Sequence, residues 1–517
     1  MPKNALATAA PPGVSGWVRR VFFVVFAGVF AALFVGVIFF NVHFPHYRPL
    51  AVLALALLWL LLLYGLFWLT GRAGAFLARR EKLALAAFFV FLVATQLFFY
   101  SQLAAYPTRD FERVFTGAVN FTVNGFIEEP YLDYFYKYPN NMPATILLQF
   151  IFRVFHRLGY SNFYVVGALL AAVCIQLCYA GVYLCCRRLF GVGWGFFALG
   201  LLWLCLPLQC YISIFYTDVL ALPFAPAAFY LYLRLLDAKS WKGRLLAAAL
   251  MGAALALGTK LKHSVAIVLV AVAVDLLLRL DWRRLAAAGG CFLVLFLAAN
   301  AGFNSYMYAH FLDESVAADR ATPFSAWVMM GLARDGAHDA DDNYIIWNEP
   351  TAEAKRQRAA EVIGQRLGEY TPGGLVAFLY QKSLRSFGSG NLDYPHIVAD
   401  SPMRQSFLVE CISENGRYFH AFDTLTQGYH VALFLLMVCG ALVFARRGGT
   451  AAFVPYLTVF GLWGFLLVWE SGQRYLLQYM GMFIIAAAAA AQALTRYLPR
   501  PLIPASRGAV QKDAGDA

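Results

Sequence analysis

The sequence predicts an all-α polytopic membrane protein with about twelve spanning helices, within a range of roughly 11–13. Three observations predict it. Apolar runs of spanning length recur along the chain, as at 50–70. Charge is scarce: of 517 residues, 14% are charged and 61% hydrophobic, and mean hydropathy is +0.62, whereas a soluble domain carries about 25% charge. Arginine and lysine cluster beside the apolar runs. An outer-membrane barrel would alternate apolar and polar residues instead. In lipid the backbone must satisfy its own hydrogen bonds, so continuous runs read as helices. The length would suggest about three soluble domains; a bilayer bundle does not follow that rule, and one continuous bundle with external loops is expected.

The expected spans are 21–42, 50–70, 83–104, 163–186, 192–210, 218–235, 244–259, 264–280, 285–303, 428–445, 451–469 and 475–494. Arg19 and Arg20 precede a run too long for a cleaved signal, so the first helix is retained. A further apolar run, 143–158, is short and carries Arg153, His156 and Arg157. The positive-inside rule decides its placement. If it lies along the surface, Arg19, Arg20, Arg72, Arg79, Arg80, Lys82, Arg187, Arg188, Arg234, Lys239, Lys242, Arg244, Arg279, Arg283, Arg284, Arg446, Arg447, Arg496 and Arg500 all fall on the cytoplasmic side. If it crossed, every later cluster would face outward. An interfacial helix is therefore expected in a plasma-membrane protein with both termini cytoplasmic.

This topology divides the chain into an N-terminal bundle, 1–303, with a first external loop at 105–162. An external region at 304–427, C-terminal helices at 428–500 and a disordered cytoplasmic tail at 501–517 follow. The 304–427 region holds most of the acidic residues and a polar, helix-compatible run, 351–369, opened by Pro350. No repeat of 20–50 residues is visible. The nine cysteines show neither a disulfide framework nor a CxxC pair; buried apolar cysteine is the expected state. The net charge of +12 is explained by topology and lipid headgroups, and no zinc spacing, phosphate-binding loop or RNA-binding signature points to nucleic acid.

Polar residues gather at the external ends of the spans. Asp110 and Glu112 follow the third span in Tyr-Pro-Thr-Arg-Asp-Phe-Glu. A carboxylate there can deprotonate an acceptor hydroxyl; taken alone, a helix cap or a solvated acid accounts for it. Tyr138, Pro139, Asn140 and Asn141 open the interfacial helix, where Asn either caps the helix or binds sugar hydroxyls. Asp218 is an acid at the rim of an apolar helix, an N-cap or a functional group. Lys260, Lys262 and His263 form a short external turn against the positive-inside bias. Such a turn suits a phosphate, or snorkels to headgroups. Arg474 and Tyr475 form the last external turn, where Arg474 can grip a second phosphate oxygen or pair with Glu470. Lys382 and Arg385 share a helix face at i, i+3, ahead of the segment 386–393; a solvated surface accounts for them as well. Acids and cations from separated segments thus land at one depth on one side. That arrangement can hold a lipid-linked phosphate whose chain lies in the bilayer.

These residues resemble the C-type, multi-spanning glycosyltransferases, above all the group with protein O-mannosyltransferases and bacterial aminoarabinose transferases. The resemblance covers roughly 83–303 and, more weakly, 374–494. It rests on Asp110 after a span, Tyr138-Pro139 opening the interfacial helix, Arg-Arg-Leu-Phe-Gly at 187–191, Asp218, and the late Arg474-Tyr475 pair. It implies a polyprenyl-phosphate sugar donor, an external active site and inversion at the sugar carbon. The acceptor it leaves open as a glycan, a lipid or a protein. It also implies that Asp110 is the general base or acceptor-binding acid, with Glu112 as a substitute. Asn140-Asn141 stands where many members have a second proline and a leucine, which bears on the acceptor. Some members use a divalent metal, so such an ion stays open here, although no compact ligand cluster demands one. In the implied chemistry Lys260, Lys262 and Arg474 offset the charge of the leaving phosphate, and Tyr131, Tyr134 and Tyr136 stack on sugar rings or anchor the interface. A flippase for a lipid-linked glycan and a non-catalytic envelope-assembly protein are the competing functions. A transporter commonly shows internal repeats and midplane charges, whereas here the polar groups cluster at one face.

Overall fold

The computed structural model describes residues 13–399 and 401–497; Arg500 and the expected tail lie outside them. Among the described residues, nine helices are long and apolar enough to cross a membrane. Helices α1 (Val14–Phe39), α2 (Pro49–Arg72) and α3 (Glu81–Leu103) open the bundle. Three helices of the first loop follow: α4 (Arg109–Val123), α5 (Tyr131–Lys137) and α6 (Met142–Arg157). Then come α7 (Phe163–Phe190) and a broken pair, α8 (Val192–Trp203) and α9 (Leu206–Ser213), bent by 71°. Next are α10 (Thr217–Asp237), α11 (Trp241–Leu261), the shorter apolar α12 (His263–Leu278), and α13 (Trp282–His310). The second loop carries α14 (Phe324–Met330), α15 (Ala340–Trp347), α16 (Ala352–Glu369) and α17 (Pro372–Phe387). The chain closes with α18 (Phe419–Arg447), the shorter α19 (Phe453–Val468) and α20 (Gln473–Leu494). The broken pair and the two shorter helices supply the expected segments that the nine long helices do not.

Why these runs form a bundle follows from their two kinds of surface. Leu57, Leu58, Leu61 and Leu62 of α2, Val90, Phe91, Leu97 and Phe98 of α3, and Leu293, Val294 and Leu297 of α13 are exposed. In water such patches would associate; in a bilayer they face lipid. The inner faces carry aromatic and small residues. Phe26 stacks on Phe30 at 4.2 Å, and Tyr456 meets Phe26 at 4.7 Å. Without a hydrophobic drive between helices, close packing holds them together. A Cβ on Gly252 of α11 would fall 2.9 Å from the Phe292 backbone nitrogen of α13, so these helices touch backbone to backbone. Gly252→Val forces them apart and is expected to cost about 1–3 kcal/mol, read as a lower melting temperature in detergent.

Arg19 departs from its expected place as a flanking charge. It is fully buried in α1, pairs with Asp275 of α12 at 2.5 Å and lies over the Phe453 ring. Asp275 also holds Arg279 at 2.7 Å and accepts from Tyr232. This cluster lies at the end of the bundle opposite the loops.

Helix α6 carries the short run read as interfacial. Met142, Ala144, Leu148, Gln149 and Phe152 are buried on one side, while Phe150, Val154 and Arg157 are exposed on the other. Apolar residues beside a cation on the outer side suit a helix lying in an interface. The second loop packs on the bundle through α17, which meets α1 and α19, and builds a small core of its own from Ala326, Met329, Ile346, Ala359 and Val362. Arg366 locks that core with a fork to Asp342 at 2.6 and 2.7 Å. Of the nine cysteines, all free, six are buried and Cys291, Cys411 and Cys439 are half-buried.

Candidate functional site at the loop end of the bundle

The loops close over a cavity of about 310 Å³, within the range of small-molecule sites. Its walls come from the start of α4, the Tyr138–Asn141 turn, the start of α10, the α11–α12 turn, the second loop and the α19–α20 turn.

Asp110 reaches this cavity because α3 ends at Leu103 and Pro107 forbids its continuation. The bend is held by Tyr106, whose N–H donates to the Ser401 carbonyl at 2.8 Å. Arg109 then takes a left-handed backbone, φ 55°, uncommon for a non-glycine residue. Asp110 follows in the first turn of α4, where the helix dipole favours a carboxylate. Its Oδ1 accepts from the Tyr134 hydroxyl at 3.0 Å. The Tyr134 oxygen accepts from the Asn141 side-chain amide at 2.5 Å, and the Asn141 Oδ1 accepts from Tyr216 at 3.2 Å. Burial, then the charge of Asp110, push the Tyr134 phenol above its ordinary value, so it stays protonated and keeps donating.

Asp218 is buried at 1% exposure in the first turn of α10. It pairs with Lys262, and its Oδ2 lies 3.4 Å from Arg474. Burial lowers the Lys262 amine below the ordinary lysine value, and Asp218 opposes that. Lys262 also faces the Tyr475 ring at 4.8 Å, Arg474 faces Tyr216 at 5.5 Å, and Tyr475 donates to Glu470. Lys260 adds a further cation to this wall, and His263 lines it as well. Two cations thus share one buried counter-charge and both edge the cavity. Trp327, stacked on Trp469 at 5.3 Å beside Phe324, lines the same cavity.

Residues 20–494 match the family model described as "Conserved hypothetical integral membrane protein". The chain belongs to that family. No match is found among curated proteins. Among solved structures this family member is similar to ArnT from Cupriavidus metallidurans bound to undecaprenyl phosphate, with 15% identity over 81% of this chain and 78% of that one and a TM-score of 0.35. It is similar as well to the apo state of the same protein, with 16% identity over 80% and 78% and a TM-score of 0.33.

In this member of the family, Asp110, Tyr138, Asn140, Asn141, Lys260, Lys262, His263, Arg474 and Tyr475 line the one cavity, and Asp218 lies directly behind Lys262 and Arg474. Three expected residues stand elsewhere. Glu112 accepts from Tyr131 at 3.2 Å, away from the cavity. Arg385 pairs with Asp335. Lys382 is buried, not solvated, and its ammonium donates to the carbonyls of Gly331 and Leu467. A divalent metal finds no donor set: among the described residues, no group of three or more His, Cys, Asp or Glu stands together to hold one.

Burial lowers the Lys382 amine from 10.5 to about 8, against the pull of Glu470. The folded state therefore releases this proton before the unfolded chain does. Stability from this group is expected to rise with pH between about 8 and 10.5, by on the order of 3 kcal/mol. Lys382→Met should flatten that rise when melting is followed against pH.

Asp393 is a site residue that the sequence pattern did not single out. It lines a recess of about 40 Å³ with Asp110, Asp218, Tyr216 and Arg474. Leu392 and Asp393 both adopt left-handed backbone, φ 56° and 67°. Tyr211 holds the Leu392 carbonyl at 2.6 Å, and Asp423 holds Asn391 at 2.6 Å. Strain of this kind persists where surroundings over-determine it. Burial raises the Asp393 carboxyl, opposed by Arg474. The available signal was Asn391-Leu-Asp393 between Gly390 and Pro395, a polar turn inside an otherwise helical stretch.

Proposed function

We propose that this integral membrane protein transfers a sugar from a polyprenyl-phosphate donor to an acceptor hydroxyl, with Asp110 as the base. The observation that carries the proposal is a single cavity at the ends of the spanning helices. It joins a tyrosine-held carboxylate, Asp110, to the cations Lys260, Lys262 and Arg474. A lipid phosphate has its charge at that depth and its chain in the bilayer beside it. The motif resemblance to the C-type glycosyltransferases supports the same reading, and the basic rim at the opposite end supports an external placement of the loop end by the positive-inside rule.

In the proposed step the acceptor oxygen attacks the anomeric carbon from the face opposite the phosphate. The C–O bond to the acceptor forms as the C–O bond to phosphate breaks. The bonding pair leaves with the phosphate, the acceptor proton passes to Asp110, and the configuration inverts. Lys262 and Arg474 offset the charge that grows on the phosphate oxygens. Asp218 keeps both cations in place. Trp327 and Trp469 offer apolar faces to the sugar ring, and Asn140 and Asn141 offer amides to its hydroxyls.

The test is transfer in reconstituted vesicles supplied with radiolabelled polyprenyl-phosphate sugars. Label moving to an acceptor on the loop face supports the proposal. Movement of the donor between leaflets with no new glycosidic bond would assign a flippase, and no movement of label with any donor would leave an assembly role.

A further inference from the structure

A second cavity, of about 420 Å³, opens at the far end of the bundle from the candidate site. It lies where α7, α18 and α20 finish and the turn 448–452 leads into α19. Its depth is apolar: Leu189 and Phe190 from α7, and Phe444 from α18. Its mouth is polar and cationic, with Arg447, Arg496 and Gln492. The three helices end here, so the mouth lies at headgroup depth and the apolar walls lie inward of it.

The electrostatics of the mouth are uncompensated. The two arginines that close α7 beside this cavity have acidic partners: Arg187 holds Glu81 at 2.5 Å and Arg188 pairs with Asp237. Arg447 and Arg496 have no ion-pair partner among the described residues; Arg447 only faces the Tyr497 ring at 5.3 Å. Two arginines and Gln492 converge on one mouth over an apolar recess. Guanidinium groups match phosphate oxygens in geometry as well as charge, and basic pockets between spanning helices take anionic lipid headgroups.

We propose that this cavity is a separate binding site for the phosphate headgroup of an anionic phospholipid, with the first part of its acyl chains against Leu189, Phe190 and Phe444. The site is independent of the proposed transfer reaction, and its test does not use that reaction.

The full chain, purified in detergent and stripped of lipid, is melted with phosphatidylglycerol, phosphatidylcholine or glycerol 3-phosphate while tryptophan emission is followed. Phosphatidylglycerol is expected to raise the melting temperature by about 3 °C or more, and phosphatidylcholine to leave it unchanged. Arg447→Gln/Arg496→Gln should abolish the rise. Arg79→Gln/Arg80→Gln, which removes the same charge elsewhere at this end, should keep it. Native mass spectrometry should count one retained anionic lipid on the parent chain and none on the first double variant. An equal rise in both double variants, or with both lipids, overturns the proposal. An equal rise with glycerol 3-phosphate replaces the lipid by a soluble phosphate ligand.

Discussion

Asp110→Asn is expected to lower sugar transfer by roughly 10²–10⁴-fold, the usual worth of a positioned general base. The substitution keeps the shape and the hydrogen bond from Tyr134 but removes the group that takes the acceptor proton. Donor binding should hold, because the phosphate cations belong to other elements, so the loss should fall on kcat rather than KM. Transfer assays with equal amounts of inserted protein measure it. Glu112→Gln is the companion. Its carboxylate accepts from Tyr131 and stands outside the cavity. A collapse there with none at Asp110 would hand the role to Glu112, and native rates in both would remove the first loop acids from the chemistry.

The second large effect is on stability. Asp218→Ala leaves Lys262 and Arg474 without their shared counter-charge in a buried setting. Breaking a buried pair by removing one partner costs about 3–5 kcal/mol, and here two cations lose it together. A marked fall in melting temperature and in the yield of inserted protein is the expected result. The double change Asp218→Ala/Lys262→Met should recover part of the loss, because one stranded ammonium is gone; the two effects share a partner and do not add. An Asp218→Ala chain as stable as the parent would show that water already compensates these charges.

Much of this architecture was legible because bilayer physics writes itself into local composition. Eleven of the twelve apolar runs became helices near their expected places and the twelfth, 192–210, a pair bent by 71°, while α6 covers the short, cation-bearing run that the positive-inside rule set apart. Site residues at helix ends, Asp110, Lys262 and Arg474, were legible for the same reason: a charge at the edge of an apolar run is conspicuous. Asp393 and Trp327 were not, since a loop residue gains its meaning from what folds over it. Lys382 shows the limit most directly. An i, i+3 pair of cations on a polar helix reads as a solvated face, yet the second loop packs down and buries Lys382 against two carbonyls. Neither carbonyl carries a signal in the sequence.

The Arg19–Asp275 pair bears on how the chain is made. An arginine alone in a spanning helix costs about 2.5–3.5 kcal/mol to insert, and α1 is synthesised long before Asp275 of α12 emerges. Until then the start of α1 has no anionic partner of its own and must keep Arg19 at the headgroups. Its final seating therefore waits until Asp275 has been translated. Helix α1 locks only after α12 is in place, and a truncation before residue 275 should leave the start of α1 accessible to polar reagents.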